Sequence, residues 1–220
     1  MGHSIKHLVD FIDMDIGNIR KRYRNKEDIF SSTLTPVQFF KQWYLEAEKK
    51  VSEPNAFALS TSYKGVPSSR MMLLKNFSAS FTFYTNISSR KGRDIVINKN
   101  ASMLFWWKEI QRQVRIEGEL FELSKATVKK YFYSRPIDSQ IGALSSNQSS
   151  KIISYETLVN EFAKNKLKFK NRRIPFPENW TGFQLRPTTI EFWQGGENRL
   201  HQRIEYRKNK NKWKSRILAP

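Results

Sequence analysis

The chain has no cysteine among its 220 residues. Disulfides, thiolate metal sites and cysteine nucleophiles are therefore excluded. Histidine is nearly as scarce: only His3, His7 and His201 occur, two of them close to the N-terminus. No pair of histidines is placed for a zinc site, and no Ser-His-Asp set is suggested. None of the nine glycines forms Gly-x-Gly, so both a dinucleotide fingerprint and a P-loop are missing. No stretch approaches the roughly 18 apolar residues that a membrane span requires. Asp10, Asp13 and Asp15 interrupt the N-terminal apolar segment, which is wrong for a secretory signal. The expectation is a cytoplasmic protein with neither membrane segment nor metal.

Acidic residues are sparse too, with 20 Asp and Glu against 39 Lys and Arg, a formal charge of +19. Such a balance invites a nucleic-acid reading. Its distribution favours a solvated basic surface instead, because much of the excess is lysine mixed with asparagine, as in Arg207-Lys208-Asn209-Lys210-Asn211-Lys212. What is plentiful is apolar and aromatic: 39% and 14% of residues, enough for a globular core. The length suits one domain, residues 1–220, with residues 1–30 as an N-terminal helical arm.

Along the chain, Ile5, Leu8, Ile12, Ile16 and Ile19 predict a helix over 5–24. Thr35-Pro36 starts a second, with Val37, Phe40, Trp43, Tyr44 and Ala47 as its apolar stripe. That helix should stop by Glu53-Pro54. Short strands follow at Ala56–Ser62, Arg70–Lys75 and Phe81–Thr85. Ser88–Asn98 reads as a helix opened by Ser88. Its first turns carry Arg90, Lys91 and Arg93, cations that oppose the helix dipole unless an anion binds there. Ala101–Trp107 reads as a strand buried on both sides, and Gln111–Leu123 alternates cleanly, with Val114, Ile116, Gly118 and Leu120 on one face. A helix at Ser124–Ser134 leads into a polar run through Ser150, and another helix covers Ser154–Phe169. Thr181–Arg186, Thr188–Trp193, Arg199–Tyr206 and Lys212–Leu218 are the last strands. Consecutive strands joined by short turns give an α+β protein built on an antiparallel barrel.

Ile190–Arg203 stands out. Two apolar-rich arms flank Gly195-Gly196, so a hairpin is expected, with Trp193 just before the bend. Strand alternation over the return arm would put Arg199, His201 and Arg203 on one face, suited to an anionic ligand. With no glycine-rich phosphate loop, side chains must hold any phosphate, and the candidates are Arg70, Lys75, Arg90, Lys91, Arg135, Arg199 and Arg203.

Several of these pieces stand in one order: Arg70-Met71-Met72-Leu73-Leu74-Lys75, then Phe83-Tyr84-Thr85-Asn86 with Ser89-Arg90-Lys91, then Arg112-Gln113-Val114. Next come Lys130-Tyr131-Phe132-Tyr133-Ser134-Arg135-Pro136 through Ser139-Gln140-Ile141-Gly142, and Gln148-Ser149-Ser150. The series ends in Glu191-Phe192-Trp193-Gln194-Gly195-Gly196 with Arg199-Leu200-His201 and Arg203. From about residue 19 onward the chain resembles the pyridoxamine 5'-phosphate oxidase family. The resemblance implies an FMN-binding split β-barrel with flanking helices, working as a homodimer with flavin at the subunit interface. It implies oxidation of pyridoxamine or pyridoxine 5'-phosphate to pyridoxal 5'-phosphate, with dioxygen reduced to hydrogen peroxide. By the same resemblance Arg70, Met71, Met72, Leu73, Leu74, Lys75, Tyr84, Thr85, Arg90, Lys91, Gln113, Gln148, Ser149, Trp193 and Arg203 would serve the flavin. Lys75, Tyr131, Arg135 and Ser139 would hold the substrate phosphate. Arg199 and His201, with Leu200 between them, would lie over the reacting ring as the catalytic pair, and Arg20, Lys21, Arg22 and Tyr23 would form a closing arm.

Two departures accompany the likeness. Gln202 stands where the family commonly has an acidic residue, and the arm Arg20-Lys21-Arg22-Tyr23 is more cationic than the family form. The competing readings are another split-barrel flavoprotein, such as an FMN reductase or a flavin binder, and a basic nucleic-acid module.

Overall fold

The computed structural model describes residues 22–23 and 27–220. The helix expected over 5–24, and with it Arg20 and Lys21, lies outside the described residues apart from Arg22 and Tyr23. Helix α1 (Pro36–Lys50) begins as expected, with Thr35 and Gln38 exchanging capping-box hydrogen bonds and Pro36 in the first turn. Its buried stripe is Pro36, Phe39, Phe40, Trp43 and Ala47; Phe39 joins the expected stripe, Tyr44 packs half-buried against Phe40 and Phe77, and Val37 is only half-buried. Phe40 is the centre of an aromatic cluster, with ring centroids 4.9–5.2 Å from Phe77, Phe81 and Phe105.

The strands are β1 (Ala56–Tyr63), β2 (Val66–Leu73), β3 (Asn76–Phe77), β4 (Phe81–Asn86), β5 (Asn100–Trp107) and β6 (Arg112–Glu122). They continue with β7 (Trp180–Gln194), β8 (Gln202–Asn209) and β9 (Lys212–Ile217). All pairings are antiparallel, in the order β2-β1-β5-β6-β7-β4-β3, with β8 on β7 and β9 on β8. Four further helices flank the sheet: α2 (Arg90–Ile97), α3 (Lys125–Ser134), α4 (Ile137–Ser145) and α5 (Tyr155–Lys168). Both the antiparallel barrel-like sheet and the α+β class agree with the expectation from sequence.

β7 organises the sheet. It is one continuous strand, not the two that Pro187 suggests. β6 runs along one edge of it, whereas the other edge is divided between β4, which pairs with Trp180–Leu185, and β8, which pairs with Thr189–Gln194. Between the halves the register with β6 slips: Gly118 faces Pro187, Glu117 faces Thr189, and Thr188 is left over as a bulge. The bulge changes which residues point inward. Phe183 and Leu185 fill the core before it, Ile190 and Phe192 after it. Pro187 is tolerated because a bulge is where a missing backbone donor does least harm.

Three other expectations need correction. β5 is buried on one side only, since Trp106 is 44% exposed between Phe105 and Trp107 in the core; its partner strands cover its edges, but one face stays open. Ser89, not Ser88, caps α2, accepting from the Gly92 amide at 3.3 Å, while the Ser88 amide donates to Asn86 Oδ1 at 2.8 Å. The polar run after Arg135 contains α4, whose inward Ile141 packs with Phe132 and Ile174 in a second small core.

Gly118 has no room for a side chain: a Cβ there would lie 2.1 Å from the Arg186 carbonyl oxygen. Gly118→Ala should therefore destabilise the protein by about 1–3 kcal/mol, the usual range for overpacking. Urea unfolding measures this, and an unchanged midpoint would show that the bulge absorbs the methyl group.

Candidate active site

The first cluster of candidate residues forms where α2 meets β1, β2 and β4. Lys91 is 6% exposed, and among the described residues its Nζ reaches only neutral partners, Ser89 Oγ at 3.2 Å and Gln148 Oε1 at 3.0 Å. Arg70, on β2, donates through Nη1 to Thr61 Oγ1 (2.7 Å) and the Leu59 carbonyl (3.2 Å), and through Nη2 to Ser68 Oγ (2.6 Å). Asp94 lies 3.8 Å from Arg70 Nη2 and accepts from Thr61 Oγ1 at 2.7 Å. Of these two partly or wholly buried cations, Arg70 alone has a carboxylate beside it among the described residues. Burial, and secondarily Arg70, pushes the Lys91 ammonium down to about 8. Burial also lowers Arg70, Asp94 opposing and Arg90 assisting. A buried positive charge without a partner is costly, and an anion between the two groups would remove the cost. Thr85, whose Oγ1 donates to Gln148 Oε1 at 3.4 Å, brings β4 and the loop after α4 to the same place.

Next to this cluster is a cavity of about 380 Å³ whose lining includes Met72, Tyr84, Thr85, Arg135, Ser139 and Gln148. Tyr131 stacks on Tyr84, with centroids 3.8 Å apart and planes 11° apart. Burial raises both phenols above the ordinary tyrosine value, so they remain hydrogen-bond donors; Arg135 offsets part of the rise in Tyr131. Arg135 follows α3 and lies 4.4 Å over the Trp180 ring. Its Nη1 and the Trp180 indole Nε1 are buried without a hydrogen-bond partner among the described residues. Unpaired donors of this kind are rare in native interiors and mark a place for an acceptor-rich ligand. The structure thus brings together Arg70, Met72, Tyr84, Thr85, Lys91, Tyr131, Arg135, Ser139 and Gln148.

A second group lies on the face of β6, β7 and β8 that turns away from the main core. Gln113, Trp193 and Arg203 stand directly opposite one another across the three strands. The His201 ring is 4.7 Å from Trp193, and Tyr23 sits edge-on to both, at 5.8 Å from Trp193 and 5.7 Å from His201. Gly195 makes room for that tyrosine, because a Cβ there would be 2.8 Å from Tyr23 Cγ. The Gly196 amide donates to His201 Nδ1 at 3.2 Å, so the neutral ring carries its proton on Nε2. Burial, then Arg199, holds His201 below the usual histidine range.

The return arm is not the strand that alternation suggests. Glu197–Arg199 form a short 3-10 turn with Asn198 and Arg199 at positive φ, and β8 begins only at Gln202. Arg199 and Leu200 are therefore exposed on a turn, not aligned with Arg203 on one strand face. Gln202 accepts from the Ile29 amide at 3.0 Å, so its side chain anchors the segment before α1. Of the remaining candidates, Met71, Lys75, Arg90 and Ser149 are exposed, Arg22 likewise, and Leu73 is half-buried. Leu74 is packed into the core, leaving only its backbone for a ligand. No hydrogen bond, ion pair or ring contact among the described residues joins the first group to the second within one chain. Sequence reasoning missed Thr61, Asp94 and Trp180; the signal for Trp180 was its place beside the proline-marked loop, which reads as a boundary and not as a site.

Residues 45–168 match the family model described as pyridoxamine 5'-phosphate oxidase, and residues 180–220 match that of the pyridoxine 5'-phosphate oxidase C-terminal dimerisation region. The chain belongs to the pyridoxamine 5'-phosphate oxidase family. A pyridoxine/pyridoxamine 5'-phosphate oxidase of Shewanella sediminis is 42% identical over 213 residues, covering 93% of this chain and 99% of that protein. One of Aliarcobacter butzleri is 44% identical over 212 residues, covering 94% and 100%. Among solved structures, PhzG from Burkholderia lata in complex with tetrahydrophenazine-1-carboxylic acid superposes with a TM-score of 0.85 at 27% identity, covering 91% of this chain and all of that one. A pyridoxamine 5'-phosphate oxidase-related, FMN-binding protein from Nostoc punctiforme shares the fold, with a TM-score of 0.70 at 16% identity over 86% of this chain.

In this oxidase-family chain the lowered Lys91 sets a pH dependence. An anion stabilises the ammonium, so binding needs the protonated form, which the free protein loses above about 8. Affinity for a phosphate monoester should fall as pH rises past that point, tending to about tenfold per unit. Calorimetric titration from neutral to mildly alkaline pH tests this; flat affinity would mean that Lys91 does not face the anion.

Proposed function

We propose that the protein oxidises pyridoxamine or pyridoxine 5'-phosphate to pyridoxal 5'-phosphate with dioxygen, using FMN held between two copies of the chain. The amine consumes one water and one dioxygen and yields ammonia and hydrogen peroxide; the alcohol needs only dioxygen and yields peroxide. The observation that carries this reading is the pair of under-compensated cationic sites, Arg135 with the Trp180 indole lining the cavity and Arg70 with Lys91 beside it, linked through Gln148. Two phosphates, one from the cofactor and one from the substrate, match two such sites.

The residues present fit FMN. Arg70 and Lys91 would hold its phosphate with Thr85 and Gln148, and Gln113, Trp193 and Arg203 offer an amide, an aromatic plane and a cation for its ring system. Bound there, FMN would supply the redox chemistry, the transfer of two electrons from substrate to dioxygen. The rest is positioning. Arg135, Tyr131, Ser139 and Lys75 bind the substrate phosphate, combining charge with directional donors. Arg199 and His201 orient the pyridine ring; His201 is neutral, fixed through Nδ1, and presents Nε2–H. Protonating His201 would cost the Gly196 hydrogen bond and add charge beside Arg199.

Separation of the two residue groups within one chain supports the homodimer, in which the hairpin of one copy completes the cavity of the other. The region that matches a dimerisation model, 180–220, carries that hairpin. No helix among the described residues is long and apolar enough to cross a membrane, and a cysteine-free chain suits the cytoplasm.

Purified protein supplied with FMN should release peroxide on addition of pyridoxamine 5'-phosphate. Protein that takes up no FMN would sink the reading, and flavin uptake without turnover would leave a flavin binder. Arg135→Ala should raise KM roughly tenfold to a hundredfold, as loss of a charge-assisted bond worth about 1.5–3 kcal/mol implies. Arg199→Ala should lower kcat with FMN retained; loss of flavin instead would reassign that residue to the cofactor.

A further inference from the structure

Behind the row Gln113–Trp193–Arg203 runs a second cross-strand row, two residues further along each strand. Arg115 on β6 faces Glu191 on β7, Glu191 faces Glu205 on β8, and Glu205 faces Arg216 on β9. Glu205 is neutralised within its own half of the row, by Arg207 at 2.7 Å and Arg216 at 2.6 Å. Glu191 is different, because it reaches diagonally into the first row. It is 2% exposed, yet Arg203 Nε donates to its Oε1 at 2.9 Å and Arg203 Nη2 lies 2.9 Å from the same oxygen. Arg115 Nη2 is 2.7 Å from Oε2, an ion pair whose angle falls short of a hydrogen bond. On its other side Arg203 Nη1 donates to the Ala219 carbonyl at 2.8 Å, and the Leu218 amide donates to the Arg203 carbonyl at 3.0 Å.

We propose that Glu191 and the Ala219 carbonyl clamp the Arg203 guanidinium from two sides and thereby position it for the flavin. This rests on the assignment of FMN to the face that Gln113, Trp193 and Arg203 share. A guanidinium on a long, freely rotating stem loses conformational entropy when a ligand fixes it, and holding it beforehand removes that loss from binding. Its planar fork makes the clamp effective, since the Nε side is taken by Glu191 and one Nη by Ala219, leaving one orientation for the donors that remain. A role in stability alone would not need this arrangement. An apolar pair of similar volume commonly stabilises a core as well as or better than a buried ion pair. Glu191 is a positioning residue; it lies behind the ligand-facing row. Without its carboxylate, Arg203 would lose its ion-pair partner among the described residues, while Arg115 would keep Glu117 at 3.1 Å.

The experiment is a fluorescence titration of apoprotein with FMN, using wild type, Glu191→Gln, Arg203→Met and the double variant. Glu191→Gln keeps the shape and removes the charge, and should weaken FMN binding about tenfold or more. In the Arg203→Met background the same change should have little further effect, because its route to the ligand is gone. Fully additive effects, or wild-type affinity in a folded Glu191→Gln protein, overturn the proposal. Should Glu191→Gln fail to fold, a chain ending at Ile217 tests the clamp from the other side: it removes the Ala219 carbonyl and should weaken FMN several-fold, and unchanged affinity there overturns the proposal. Wild-type protein that binds no FMN refutes the flavin reading itself, and the clamp with it. Wild-type protein that binds FMN and makes peroxide, while these variants bind equally well, refutes the clamp alone.

Discussion

Burying positive charge without enough negative charge to match it is the constraint around which this protein is arranged. Lys91 is held by a serine hydroxyl and a glutamine carbonyl, and Arg70 has the carboxylate of Asp94 no nearer than 3.8 Å. A fold gains nothing in stability from such a site. Its cost is supportable because the sheet and α2 fix the surroundings firmly, and the proposed phosphate would reverse it. Arg135 repeats the logic with an aromatic face beneath it and an unpaired nitrogen. Where cations instead face water beside a carboxylate, as Arg207 and Arg216 do at Glu205, they belong to the framework.

The framework delivers these groups through β7. One strand long enough to pair with β4 and then with β8 lets the wall proposed for phosphates and the wall that carries Trp193, His201 and Arg203 be parts of a single sheet. In one copy the two walls do not meet, which is why association of two copies is part of the proposed chemistry and not an addition to it. The net charge of +19 has a mixed origin on this view. A few buried cations serve anionic ligands, while the lysines of the β8–β9 hairpin tip are solvated.

Much of this was legible in the sequence, and what failed did so for local reasons. The Thr35-Pro36 start, the alternation of β6 and the misplaced cations at Arg90 and Lys91 follow from capping, period and dipole, all readable over a few residues. Turn geometry was not readable: Gly195-Gly196 looked like a tight bend, but residues 197–200 extend it and take Arg199 off the strand. β7 looked broken at Pro187 because nothing local reveals that a bulge will meet the proline there. Asp94 and Thr61 were invisible as site residues, since their importance comes from contacts distant in sequence: Thr61 bonds Asp94 33 positions away and Arg70 9 positions away. Glu191 was quoted within a motif but given no role, because a carboxylate next to an apolar run does not disclose which arginine it will meet.

Thr188 is a small residue on which much orientation depends. As the one unpaired residue of the bulge, its hydroxyl donating to the Glu117 carbonyl at 3.2 Å, it shifts the phase of everything that follows on β7. Were the chain one residue shorter at that point, Ile190 and Phe192 would exchange faces with Glu191 and Trp193. A charged side chain would then point into the hydrophobic interior, and two aliphatic or aromatic ones into the ligand wall. The number of residues from Pro187 to Trp193 is therefore as firm a requirement for this wall as the chemistry of the side chains within it.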